Sequence, residues 1–272
     1  MSAPENPIPS PLLPESQFAL APPQLTAPPA ENPPWSFWEV LALAVITLVS
    51  MVVCVLGTAY FVHRRFTPAN PWIESMKRPE VIVGGQLLAY FFILFVMYRM
   101  VSAQSGGKVL EAIRWNWPQN WGSYLLAGIA LELCLVPFAY LLPMPKHVPI
   151  DEFFRTARDA YVLSLFGVFF APLFEELFFR GFFYPAVARR LGMIPSIIVT
   201  AFAFASIHAS QLKYSWGPVL VIFLVGVALT TVRAVKKSVG ATVLMHMAYN
   251  GTIFIAAYIA TGGFRHMEKF NQ

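Results

Sequence analysis

The 272-residue chain is 57% hydrophobic and 12% charged, with 19 Lys+Arg against 14 Asp+Glu; that is about half the charged share of an ordinary soluble domain. Its cations stand singly or in pairs between long apolar runs rather than on one polar face, which excludes a nucleic-acid reader. A soluble enzyme, a disordered chain and a disulfide scaffold fit no better, and a polytopic membrane protein remains.

Residues 1–34 hold eleven of the 23 prolines and neither Lys nor Arg. Such a segment buries no core, so a disordered, Pro-rich N-terminal tail is expected, either simply solvated or binding a partner. It lacks the basic start and adjoining apolar stretch of a signal peptide. From Trp35 onward seven apolar segments follow, at about 38–62, 80–98, 121–143, 160–183, 194–209, 217–234 and 239–261. Each reaches or approaches the roughly 20 residues that a helix needs to cross a bilayer. The fifth is short and begins after Pro195, so it is expected to tilt or to span only in part. Trp35, Trp38, Trp115, Trp117 and Trp121 sit near segment ends, where aromatic rings favour the membrane interface. Cys54 and Cys134 lie inside apolar runs and read as small packed hydrophobes. Lys and Arg divide almost evenly between the two sets of connections, so the charge bias leaves orientation open. The expected fold is all-α: a polytopic transmembrane helix bundle of about seven spans, with residues 35–119 forming the N-terminal spans.

Charged groups inside a bilayer are costly, so each one needs a reason. Segment four contains Glu175, Glu176 and Arg180, segment five ends at His208, segment seven carries His246 and Asn250, and segment three holds a lone Glu132. Arg180 follows Glu176 by one helical turn, a spacing that lets it neutralise that carboxylate. Glu175 points about 100° away and is free to act as a general base beside a histidine. His246 and Asn250 share a helical face and offer two hydrogen-bond donors, or one metal ligand and one positioning group. For Glu132 the structural role of a polar contact between helices is favoured over that of a second acid. One carboxylate, two imidazoles and an amide from three helices suit a water-activating hydrolase. A serine enzyme would need a Gly-rich turn at Ser206, an aspartyl enzyme two embedded aspartates, and a zincin His-Glu-x-x-His, and none of these is present. A proton-coupled transporter would show repeats, and no repeat is visible.

Glu-Glu-x-x-x-Arg (Glu175, Glu176, Arg180), Phe-x-x-x-His (Phe204, His208) and His-x-x-x-Asn (His246, Asn250), in that order on separate apolar segments, resemble the CPBP family. That family comprises the type II CAAX prenyl endopeptidases and the Abi or lysostaphin-resistance-protein-A-like proteins. The resemblance covers roughly residues 120–261, leaving 262–272 as a C-terminal tail. It implies an intramembrane endopeptidase in which Glu175 and His208 activate water and His246 and Asn250 form an oxyanion hole. Glu176 and Arg180 would then be a supporting acid and its partner. It further implies membrane lipid as surroundings, a bacterial plasma membrane as location, and a peptide or protein substrate, which is prenylated for the eukaryotic members. The long tail and the count of seven rather than eight spans depart from the family pattern. A competing reading keeps the fold without chemistry, as a membrane scaffold or bacteriocin-immunity protein. Metal use stays open: Glu175, His208 and His246 could ligate a divalent metal such as zinc, or work without one.

Overall fold

Ser36 starts the first long helix by a reciprocal cap: its hydroxyl accepts from the Glu39 N–H, and the Glu39 carboxylate accepts from the Ser36 N–H at 2.6 Å. The computed structural model describes Met1 and residues 31–267, and every regular element among them is helical. The tail expected at residues 1–34 therefore lies outside the described residues except for its two ends, as does the end of the C-terminal tail. Helix α1 (Phe37–Phe66) leads through the short α2 (Trp72–Met76) to α3 (Pro79–Ser105), and α4 (Val109–Ala112) to α5 (Trp121–Ala139). A long helix, Ala157–Leu191, consists of α6 (Ala157–Leu165), α7 (Ala171–Glu176) and α8 (Tyr184–Leu191) joined by two π-helical segments. Helices α9 (Met193–His208), α10 (Trp216–Lys236) and α11 (Val239–Ala260) complete the bundle.

Six helices are long and apolar enough to cross a membrane, and α9 is a shorter apolar helix. The seven expected segments match these closely, the short fifth included. At 1.5 Å per residue, α9 covers about 24 Å, less than the roughly 30 Å of a hydrocarbon core. Its last residue, His208, is largely shielded by the bundle, with a side chain 19% exposed. The outward faces of α1 and α3 carry Leu48, Val52, Val53, Phe91 and Phe95, all exposed, as a hydrocarbon solvent allows.

Three pairings organise the bundle: α1 on α3, α5 on α11, and α9 on α10, with α11 also touching α10 and the long helix. Small residues set their closeness, as in membrane helix packing generally. A β-carbon on Gly226 of α10 would stand 3.0 Å from the Ala201 Cα of α9. One on Gly128 of α5 would strike the Met245 carbonyl and come within 2.8 Å of the Ala248 side chain. Met245 precedes His246, so Gly128 fixes the distance of α5 from a helix that carries candidate chemistry. Gly128→Ala is expected to lower stability by about 1–3 kcal/mol, as overpacking does. Thermal unfolding in detergent checks this, with Gly122→Ala as control, since a β-carbon there meets nothing within 4 Å.

The segment preceding α1 is docked against the helix ends. Trp35 is fully buried, donates from Nε1 to the Phe182 carbonyl at 2.9 Å and stacks on the Phe182 ring at 4.9 Å. Arg189 donates to the Pro33 carbonyl, 2.8 Å. Glu31 Oε1 accepts from Arg233 Nη1 at 2.9 Å and from Lys237 Nζ at 2.8 Å. Burial pushes the Glu31 carboxyl up, but Arg233 and Lys237 outweigh it and hold the group below the ordinary value of 4.5. A folded value lowered in this way adds stability above the ordinary carboxylate range, and that stability is lost as pH falls through the folded value. Melting temperature is thus expected to fall on acidification below about pH 4.5, and less so in Glu31→Gln.

Candidate active site

Two irregularities shape the long helix where its acidic pair sits. The Ala171 N–H bonds to the Phe166 carbonyl, and the Tyr184 N–H to the Phe179 carbonyl, both i→i−5. In each case the next residue is a proline, Pro172 or Pro185. Proline has no N–H and its ring crowds the preceding turn, which is one cause of such widened turns. Carried on in this spacing, Pro172 would have served the Gly167 carbonyl and cannot. Asn250 serves it instead, donating from Nδ2 at 2.7 Å. The amide of α11 is thereby aimed by a backbone defect on the neighbouring helix, a common use of π-helical turns at functional sites.

Glu176 and Arg180 form a fully buried pair, with Arg180 Nη1 2.8 Å from Glu176 Oε1. Arg180 also donates from Nε to the Thr230 hydroxyl at 3.2 Å and from Nη2 to the Gly226 carbonyl at 3.2 Å. Its guanidinium lies over the Phe204 ring, 4.5 Å from the centroid. Glu176 Oε1 further accepts from His246 Nδ1 at 2.9 Å. An ionised carboxylate offers no proton, so His246 Nδ1 is the donor and its Nε2 faces the other way. His208 is oriented by the same logic: its Nδ1 lies 2.9 Å from the Phe204 carbonyl, which only accepts. In the neutral ring, His208 Nε2 is therefore an unprotonated lone pair.

Both Nε2 atoms face Glu175. His208 Nε2 is 3.9 Å from Glu175 Oε1, and His246 Nε2 is 4.0 Å from Glu175 Oε2. These gaps exceed a hydrogen bond. The first is wide enough for a water that would sit about 2.8 Å from each partner. The three residues belong to a cavity of about 640 Å³ that Asn250 and Phe204 also line. Its walls are mostly apolar, with Leu163, Phe166, Ile253 and Phe254 among them. The cavity runs past the short 149–153 helical turn and residues 210–212, which the Ile150 N–H joins through the Gln211 carbonyl at 3.4 Å. Non-helical backbone at membrane depth is tolerated where it lines such a cavity.

All six expected site residues thus meet. Glu175, His208, His246 and Asn250 line the cavity, while Glu176 and Arg180 lie behind it and hold His246. Among the described residues no group of three or more His, Cys, Asp and Glu gathers tightly enough to hold a metal ion. Glu132 of α5 meets the Tyr249 hydroxyl of α11, the interhelical contact favoured for it. The residue pattern passed over Thr230 and Gly226 as partners of Arg180, and also Gln86 and Tyr90 of α3, which line the cavity. For the last two a signal existed: two polar residues four apart within an apolar run.

The family described as Rce1-like, type II CAAX prenyl endopeptidase, matches residues 157–252 of the chain. That stretch contains all three motifs and every residue of the cluster, so the resemblance to the CPBP family holds over the site. With six helices long and apolar enough to span among the described residues, the chain is an integral, multi-pass membrane protein similar over this stretch to a family of proteases. No curated protein and no solved structure matches the chain.

Proposed function

We propose that the protein is a glutamate-dependent intramembrane endopeptidase of CAAX-prenyl-protease type, which hydrolyses a peptide bond near the C-terminus of a protein or peptide. The observation that carries this reading is the pair of imidazole Nε2 atoms facing the two oxygens of one carboxylate, 3.9 and 4.0 Å away, inside a largely apolar cavity. A water held between Glu175 and His208 attacks the carbonyl carbon and gives its proton to Glu175, while the carbonyl electron pair moves to oxygen. His246, carrying a proton on Nε2, and the second N–H of Asn250 stabilise that oxyanion. Collapse of the adduct breaks the C–N bond, and the departing nitrogen takes the proton back from Glu175. The new carboxylic acid passes its proton to the amine, so the products are a carboxylate and an ammonium, with no covalent intermediate and no metal in any step. Glu176 and Arg180 fix the His246 ring; with Nδ1 committed to Glu176, only Nε2 can face the substrate.

The apolar cavity wall suits an aliphatic or prenylated C-terminus in a bacterial plasma membrane. The test is cleavage of paired fluorogenic C-terminal peptides, prenylated and not, by the purified protein in lipid. Wild type and Glu175→Gln are compared with and without a chelator. Cleavage by the wild type that Glu175→Gln loses and a chelator leaves intact is the expected outcome. Equal cleavage by both proteins, or by neither across a broad peptide set, would overturn the proposal and favour a scaffold that has kept the motifs.

A further inference from the structure

The cluster is rich in acceptors and poor in donors. Glu175 accepts when ionised, and His208 Nε2 is a lone pair in the neutral ring because Nδ1 donates to the Phe204 carbonyl. His246 Nε2 is a lone pair too unless the ring takes a second proton, since Nδ1 is committed to Glu176. Asn250 has given one of its two N–H groups to the Gly167 carbonyl, and the Tyr249 hydroxyl meets Glu132. A tetrahedral oxyanion wants donors, normally two or more. Within the cluster itself only the remaining N–H of Asn250 and a protonated His246 are left to supply them.

Helix α3 holds further donors. Helix α3, outside the matched stretch, lines the cavity with Ile82, Gln86 and Tyr90. The Tyr90 ring stacks on Phe174, the residue before Glu175, at 4.5 Å between centroids, and on Phe166 at 6.1 Å. It is therefore held beside the carboxylate-bearing turn. Neither its hydroxyl nor the Gln86 amide makes a hydrogen bond among the described residues. Both side chains are only partly buried and line the same cavity from one helical face, so both polar groups are open to a ligand there.

We infer that Tyr90 is a further catalytic residue of the site proposed above, donating its hydroxyl hydrogen to the oxyanion from α3, and that Gln86 pairs with the substrate backbone one helical turn away. The Tyr90 hydrogen bond transfers no proton. Residues four apart on a helix stand about 6 Å from one another, and an extended peptide advances about 3.4 Å per residue. Gln86 therefore meets a peptide unit about two residues from the scissile bond. The ligand class is an extended, apolar peptide segment, bound between α3 and α11.

This inference rests on the endopeptidase reading, and the experiment separates the two. Tyr90→Phe keeps the ring and its stack on Phe174 and removes only the hydroxyl. The expected result is a kcat lowered about 10-fold or more, with KM and melting temperature unchanged. Affinity for a peptide aldehyde, whose hydrate imitates the tetrahedral adduct, should weaken by a similar factor. Gln86→Leu should act on KM instead. Wild-type kcat and wild-type aldehyde affinity in Tyr90→Phe would overturn the inference even where Glu175→Gln abolishes cleavage, as would a change confined to KM. Cleavage that survives Glu175→Gln would instead sink the underlying reaction.

Discussion

Arg180→Leu is expected to cost about 3–5 kcal/mol of stability, the range found when one member of a buried ion pair is removed. Both Arg180 and Glu176 are fully buried, so the leucine leaves a carboxylate without its cation in a medium that solvates charge poorly. The variant also gives up the donors to Thr230 and Gly226 and the contact with the Phe204 ring. Glu176→Gln/Arg180→Leu removes the stranded charge as well, and should recover a good part of the loss. The measurements are melting temperature in detergent and the yield of monodisperse protein for the two variants. If the double variant proves no better than the single one, the arginine acts by its packing and not by its charge. Because His246 Nδ1 bonds to the same Glu176 oxygen, the cluster is expected to lose its geometry before the helices separate.

Much of this was legible in the residues. Hydropathy alone marks the long crossings and the short α9, because a bilayer imposes one length on every helix that spans it. The Glu176–Arg180 pair follows from helical spacing, and so does the shared face of His246 and Asn250. What could not be read depends on which helices become neighbours. Phe204 belongs to a motif with His208, and its carbonyl serves His208 within the same helix, but its service to Arg180 through the ring exists only once α9 packs beside the long helix. The orientation of Asn250 depends on the Gly167 carbonyl, which is free only because Pro172 falls where a π-helical turn would need an N–H. A proline within a helix signals irregularity, but Pro172 and Pro185 do not by themselves say which carbonyl they release. Gln86 and Tyr90 lay outside every motif and became part of the cavity only through the packing of α3 on the long helix. Docking of Glu31 on Arg233 and Lys237 joins residues about 200 positions apart, beyond the reach of any local pattern.

Glu175→Gln and His208→Ala are each expected to lower kcat by about 10²–10⁴-fold, the usual worth of general base catalysis, and the pair together by little more than either alone. The reasoning is that both side chains act on one water. Glutamine keeps the size of the carboxylate but takes up no proton, and alanine removes the lone pair that His208 Nε2 presents 3.9 Å from Glu175. Once either is gone the water is neither held nor deprotonated, so the second loss removes little that is left, as in other catalytic units that work together. A double-mutant cycle on kcat measures this directly. Full additivity would mean that the two residues act on separate steps, and the shared-water mechanism would be wrong. Added imidazole offers a second check, because the cavity is roomy enough to admit it. It should restore part of the rate to His208→Ala and nothing to Glu175→Gln, whose missing group is a carboxylate.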